Sequence, residues 1–233
     1  MRLLTRSNPK LDKPIKYGYH SFGVHLAPGQ IAGINVCPNA SKGCLNSCLS
    51  TAGFGRYNRV QQARIKKTKL FHAGKETFLR QLKKEINAKV NTSKKKGHKV
   101  SFRLNLTSDI AWENQLIDGK NLMDHFPEVQ FLDYTKSLKR MINHCTGNFP
   151  KNYHLTFSRS ESNDNACKIV MGMKGNIAVV FDKKLPKSYH KSKVVDGVKN
   201  DLTFLHKKGS ILGLIALGKA RKDKSGFVIK TRP

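Results

Sequence analysis

The apolar positions of this 233-residue chain change texture near its middle. Beyond Lys94-Lys95-Lys96-Gly97, β-branched and aromatic residues come in short runs: 100–106, 129–134, 153–158, 177–181 and 211–217. Runs of this length, bounded by Gly, Pro, Asn or Asp, read as strands. Between them lie helix-capable stretches at 121–125, 137–144 and 163–173. Strand–helix alternation predicts a parallel sheet covered by helices. Ahead of it, residues 17–27 alternate loosely as a strand, and the apolar run 31–36 delivers the chain to Cys37. A helical pattern begins at Arg59, and Phe78, Leu79, Leu82, Ile86 and Val90 mark one face of an amphipathic helix. The expectation is a single α/β domain over 1–233, with residues 1–16 an extended arm and 218–233 a basic tail. Five strands plus one or two from 17–36 would make a β/α barrel or a partial barrel. An open doubly wound sheet is the rival.

Charge narrows the partners. Forty-four Lys/Arg against fifteen Asp/Glu leave a net +29. Self-repulsion of this size is relieved by a polyanion, so nucleic acid or a nucleotide is the expected partner. The densest block is 59–99, with fourteen Lys/Arg and two acids, Glu76 and Glu85. Arg59, Arg64, Lys66, Lys67, Lys83 and Lys84 are its candidate nucleic-acid contacts. No run reaches the ~20 apolar residues of a membrane span, and the polar start, broken by Pro9 and Pro14, lacks the core of a secretory signal. No membrane partner is expected, and a cytosolic setting follows. There, clustered cysteines favour metal over disulfide.

The cluster is Cys37, Cys44 and Cys48, three of five cysteines within twelve residues. One helical turn puts Cys44 and Cys48 on one face, and a tight loop through Pro38 and Gly43 can fold Cys37 over it. Three thiolates suit a [4Fe–4S] cluster with one open iron; zinc is the alternative, although structural zinc wants a fourth ligand. An open iron can take a substrate or S-adenosylmethionine. The spacing C-x6-C-x3-C differs from the radical-SAM C-x3-C-x2-C, so the likeness to that architecture is a loose one, resting on a cysteine loop near the N-terminus of a β/α chain.

In β/α folds chemistry sits beyond the carboxyl ends of the strands. The residues there are Asn105, Ser108, Asp109, Trp112 and Glu113, then Asp133, Tyr134 and Lys136, then Ser158, Ser160 and Glu161, with Asp196, Asp201, Lys219 and Asp223 further on. Seven of the fifteen acids fall in these loops. Asp109, Glu113, Asp133, Lys136 and Glu161 are the candidate catalytic groups. Asn105, Ser108, Trp112, Tyr134, Ser158, Ser160, Asp196, Asp201 and Lys219 are candidate ligand contacts. For each acid a salt bridge or helix cap is the competing role, and for Trp112 core packing. Three functions are compatible: an iron–sulfur enzyme acting on a nucleotide or nucleic acid, a non-catalytic binding protein with a structural cluster, and a zinc hydrolase.

Particular segments add a resemblance. Tyr17-Gly18-Tyr19, Leu26-Ala27-Pro28, Asn35-Val36-Cys37-Pro38, Gly43-Cys44, Cys48-Leu49, Thr51-Ala52-Gly53, Asn58-Arg59-Val60-Gln61-Gln62-Ala63-Arg64, Asp133-Tyr134-Thr135-Lys136 and Ser160-Glu161-Ser162-Asn163 are among them. Across nearly the whole chain the sequence resembles the uncharacterised bacteriophage "gene product eighty-eight" family. The resemblance implies a phage or prophage origin and the cytoplasm of an infected bacterial host. It supplies no reaction. The three clustered cysteines lie inside the resembling segments, and Cys145 and Cys167 lie outside them.

Overall fold

The computed structural model describes residues 1–5 and 9–231, so residues 6–8 of the expected arm and 232–233 of the expected tail lie outside the described residues. The elements in order are β1 (Leu4–Thr5), α1 (Pro9–Asp12), β2 (Tyr19–Val24), α2 (Lys42–Asn46), α3 (Asn58–Ala73), α4 (Lys75–Lys95), β3 (Lys99–Arg103) and α5 (Leu122–His125). There follow β4 (Gln130–Thr135), α6 (Leu138–Cys145), β5 (Tyr153–Ser158), α7 (Asp164–Gly172), β6 (Ile177–Phe181), β7 (Ser188–Tyr189), β8 (Ser192–Asp196) and β9 (Ile211–Ile215).

The strands form one sheet in the order β1-β2-β3-β4-β5-β6-β9-β8-β7. From β2 to β8 every pairing is parallel; β1 and β7 add antiparallel edges. The sheet is open, with β1 and β7 at its two edges, so the expected barrel is realised only as an unclosed, sequentially wound α/β sheet. Nor are the first sixteen residues simply an extended arm. Leu3, Leu4 and Leu11 are buried, and the Glu85 carboxylate on α4 accepts from the backbone N–H groups of Leu3 (2.9 Å) and Leu4 (2.8 Å). The run 31–36 is irregular turn and bend rather than strand, with Gly33 inside it and Gly29 just ahead of it at positive φ.

The two faces of the sheet differ chemically. One carries a stacked ladder of Phe22, Phe102 and Phe131, with ring centroids 5.8 and 5.7 Å apart. Phe78, Leu79, Leu82 and Ile86 of α4 are all buried, as their helical spacing requires. Trp112 is fully buried, 5.4 Å from the Phe71 ring and 6.3 Å from Phe78. The other face is polar. Ser21 and Ser101 share a 2.6 Å hydrogen bond, and Arg103 donates to Asp201 at 2.5 Å with both side chains nearly inaccessible. Burial works against the Arg103 charge, and Asp201, Tyr134 and Asp133 together more than offset it. Asp201 sits at φ 55°, a backbone region in which Asp is among the better-tolerated residues.

Removing one member of a buried ion pair strands the other charge. Asp201→Ala should therefore cost about 3–5 kcal/mol. Urea unfolding followed by circular dichroism checks this; a loss below about 1 kcal/mol, the worth of an exposed pair, would refute the buried-pair reading.

Candidate functional site

The segment after β2 crosses the carboxyl ends of the parallel strands and is tied to them one by one. Asp109 N–H donates to Val36 O at 2.8 Å, and the Cys37 thiol donates to Thr107 O at 3.8 Å, so the loop starts beyond β3. Ser41 caps α2, its hydroxyl accepting from Cys44 N–H at 3.1 Å. Glu161, after β5, accepts from Gly43 N–H (2.7 Å) and Ser41 Oγ–H (2.8 Å). Burial pulls the Glu161 pKa up; bonds from its own backbone N–H, Gly43 N–H and the Ser41 hydroxyl outweigh that and hold it below the usual range. Gly43 is required here: an added Cβ would lie 2.3 Å from Ser225 Oγ and 2.7 Å from Glu161 Oε2. Further on, Gly218 after β9 passes 3.0 Å, counted from such a Cβ, from Ala52.

Within this frame the three clustered thiols are electrostatic neighbours. Burial pushes Cys37 up to about 11, and Cys48, Cys44 and Asp109 act in the same direction against a hydrogen bond from Gly29. Burial also raises Cys44, opposed by the Lys136 ammonium that hydrogen-bonds it. Lys136 Nζ further donates to Ser158 Oγ at 2.7 Å and lies 5.4 Å from the Phe227 ring centroid. Cys48 lies within electrostatic reach of Arg64 of α3. Burial lowers the Arg64 pKa and Cys48 opposes the shift; Arg64 Nε has no partner among the described residues. His25, at the end of β2, is lowered to about 3 by burial and by Arg64, Lys67 and Arg103. No disulfide joins the five cysteines. Among the described residues no three His, Cys, Asp or Glu side chains already stand at metal-ligand spacing.

The acids expected at the strand ends are present there, and protein groups hold them. Arg140 spends all five N–H donors: on both Glu113 oxygens (2.7 and 2.9 Å), Asp109 (2.9 Å), Thr135 Oγ1 (3.2 Å) and Tyr153 OH (3.3 Å). The second Asp109 oxygen accepts from Lys136 N–H at 2.9 Å. Asp133 is buried and accepts from Asn105 N–H and Tyr153 OH, both at 2.9 Å. Burial raises it to about 7 against the nearby Arg103. Tyr134 OH donates to Asp201 at 3.5 Å. Asp196 caps a turn by accepting from Val198 N–H, and Asp223 accepts from Ser225 Oγ–H and from Val228 N–H.

Asn105 is a scaffold. Its Oδ1 accepts from Ser108 Oγ–H, Ile110 N–H and Trp112 Nε1–H, which fixes the turn presenting Asp109 and Glu113. Trp112, expected as a ligand contact, is instead core: its ring is enclosed and its one donor is used. Ser160 is buried, its N–H donating to Asn163 Oδ1. Lys219 is exposed.

The expected nucleic-acid contacts divide. Arg59, Lys66 and Lys84 are exposed. Lys83 pairs with Asp118 at 3.2 Å. Arg64 is buried beside Cys48, and Lys67 donates inward to Leu3 O at 2.9 Å, so these two belong to the interior rather than to a phosphate-facing surface. Sequence reasoning passed over Arg140 and His25. The one signal for Arg140 was its place beside Met141 on the inward side of a helix, and a cation there demands anionic partners.

The profile of one protein family, Gene product 88, matches residues 2–231. No curated protein and no solved structure matches the chain.

Asp133 gives a pH prediction. Its folded pKa, about 7, lies above the ordinary 3.8. The stability of its protonated form is full below about pH 4 and is lost as pH rises through 7. Asp133→Asn should flatten this loss. The difference in urea midpoint between wild type and variant, read at pH 5 and pH 8, should shift in favour of the variant at the higher pH; an unchanged difference overturns the assignment.

Proposed function

The chain belongs to the Gene product 88 family, and on that premise we propose that it is a phage-encoded iron–sulfur protein acting on or binding a nucleotide or nucleic acid in the cytoplasm of the infected host. A [4Fe–4S] cluster would be held by Cys37, Cys44 and Cys48, with one iron open. The observation that carries this reading is the setting of the thiols. Three neighbouring thiols at the carboxyl ends of a parallel sheet lie beside two cations, Lys136 at Cys44 and Arg64 at Cys48.

The donor set fits soft-metal chemistry. A bound cluster would supply a Lewis-acidic or redox-active iron and a position for S-adenosylmethionine or another ligand. Lys136 and Arg64 would balance thiolate charge. The 38–43 loop, anchored by Glu161 at its far end, would bring Cys37 toward Cys44. Asp109 and Glu113 are occupied by Arg140 and Glu161 by the Gly43 N–H and the Ser41 hydroxyl, which disfavours the zinc-hydrolase alternative because that mechanism needs carboxylates for a second metal. The exposed cations Arg59, Lys66 and Lys84 would serve a polyanion. No described helix is long and apolar enough to cross a membrane.

Iron and acid-labile sulfide analysis of anaerobically purified protein tests the reading. Iron and sulfide in equal amounts are expected, and Cys37→Ala, Cys44→Ala and Cys48→Ala should each lose them. Colourless protein without iron overturns it, and stoichiometric zinc would transfer the site to the zinc alternative. Because the thiols must lose protons to bind metal and burial holds Cys37 near 11, reconstitution should improve as pH rises. Single-stranded nucleic acid should bind with an affinity that falls steeply with salt, and Lys66→Ala/Lys84→Ala should reduce the slope of log K against log salt by about 1.4 for two single-strand phosphate contacts. An unchanged slope removes these two residues from the interface.

A further inference from the structure

A cavity of about 430 Å³ opens against the start of the cysteine loop. Pro38 and Asn39 of that loop, Asp109 and Glu113, and Phe149 and Pro150 after α6 are among its walls. Its volume falls in the range of small-molecule sites. Three properties identify what it would take.

The first is charge. In a protein of net charge +29 this cavity is nearly balanced, because its two acids are held by Arg140 and its other cation is Lys139. The saturated Arg140 has no donor left for a ligand anion. The second is unspent hydrogen-bonding capacity. Five asparagines line the cavity, and the side-chain amides of the exposed Asn39 and Asn114 and the half-buried Asn143 make no hydrogen bond to the described residues, so a ligand would meet them in place of water. Each offers a donor and an acceptor side by side, the pattern that pairs with the edge of a nucleobase and suits adenine best. The third is an apolar wall: the half-buried Phe149 ring, whose orientation is steadied by Tyr153 (5.2 Å) and His144 (5.6 Å), provides a surface on which a base can stack.

We propose that this cavity is a nucleobase pocket, in which an unstacked base lies on Phe149 and is read by Asn143 and Asn114, with Lys139 at the rim facing the attached phosphate. The inference deepens the proposed function by locating its nucleotide, and it rests on that reading for the ligand class alone.

Isothermal titration of the purified full chain with adenosine, guanosine, cytidine, uridine and AMP, with ribose 5-phosphate as control, tests it. At least one nucleoside, adenosine before the others, should bind saturably, and ribose 5-phosphate should not compete. Asn143→Leu and Asn114→Leu should each weaken that binding about tenfold, and Phe149→Ala should weaken all the nucleosides. Lys139→Ala should weaken AMP and leave adenosine unchanged. Circular dichroism of each variant separates lost binding from lost fold; should Phe149→Ala unfold, Phe149→Leu keeps the volume and removes the aromatic face. No saturable binding by any nucleoside, or binding indifferent to both asparagine variants, overturns the proposal. Run on cluster-free and on reconstituted protein, the titrations separate the two readings. Iron without nucleoside binding refutes the pocket, and nucleoside binding without iron refutes the cluster.

Discussion

The Glu161 carboxylate is the constraint on which the rest of the site depends. It ties a loop that follows the second strand to the end of the fifth, through Gly43 N–H and the Ser41 hydroxyl. Charged acceptors make the stronger class of hydrogen bond, and both donors here are short. Ser41 in turn caps the turn that carries Cys44, so one carboxylate sets both the position and the start of α2. The close approach leaves no room for a side chain at position 43, which explains a glycine inside a helical turn where it is otherwise unfavourable. Cys37 is held independently by Gly29 N–H and Thr107 O. The loop is therefore pinned at both ends.

Much of the fold was legible because the apolar runs were short, dense and punctuated. Residues 153–158 and 177–181 are strands over the bounds that their hydrophobic runs suggested. Central parallel strands are buried on both faces, so their composition is unambiguous. The edge was not legible. Ser188–Tyr189 and Ser192–Asp196 carry Lys193 and Asp196 and bury little, and nothing in such a pattern distinguishes an edge strand from a solvated loop. Nor could the pattern decide between an open sheet and a closed barrel. Both show the same strand–helix alternation, and strand order, tilt and stagger leave no trace in hydrophobic periodicity.

The candidate site was legible in location more than in role. The strand-end rule assembled the right neighbourhood: Lys136, Ser158 and Glu161 do converge on the cysteine loop. The same rule counted Asp133 as a catalytic group and Asp201 and Trp112 as ligand contacts, because composition does not report which side of a strand or turn faces inward. Asp133 and Trp112 lie toward the aromatic core, and Asp201 answers a buried arginine from the opposite face. The basic block misled in a related way. A helix that caps a sheet has an inward side, and Arg64 and Lys67 are on it.

The four buried arginines among the described residues make the sharpest comparison. Arg103 has Asp201, Arg140 has Asp109 and Glu113, and Arg159 has Asp164. Each meets the requirement that a desolvated cation be paired. Arg64 has no carboxylate: its one described anionisable neighbour is Cys48, and its Nε is unpartnered. A guanidinium does not shed its proton to escape this cost, so the cost falls on whatever lies beside it. The protein places acids against Arg103, Arg140 and Arg159 and leaves this one, beside the cysteine loop, without a carboxylate among the described residues. The proposed cluster reading draws on that asymmetry as well as on the spacing of the cysteines, because a bound anionic cluster would supply the counter-charge that Arg64 lacks.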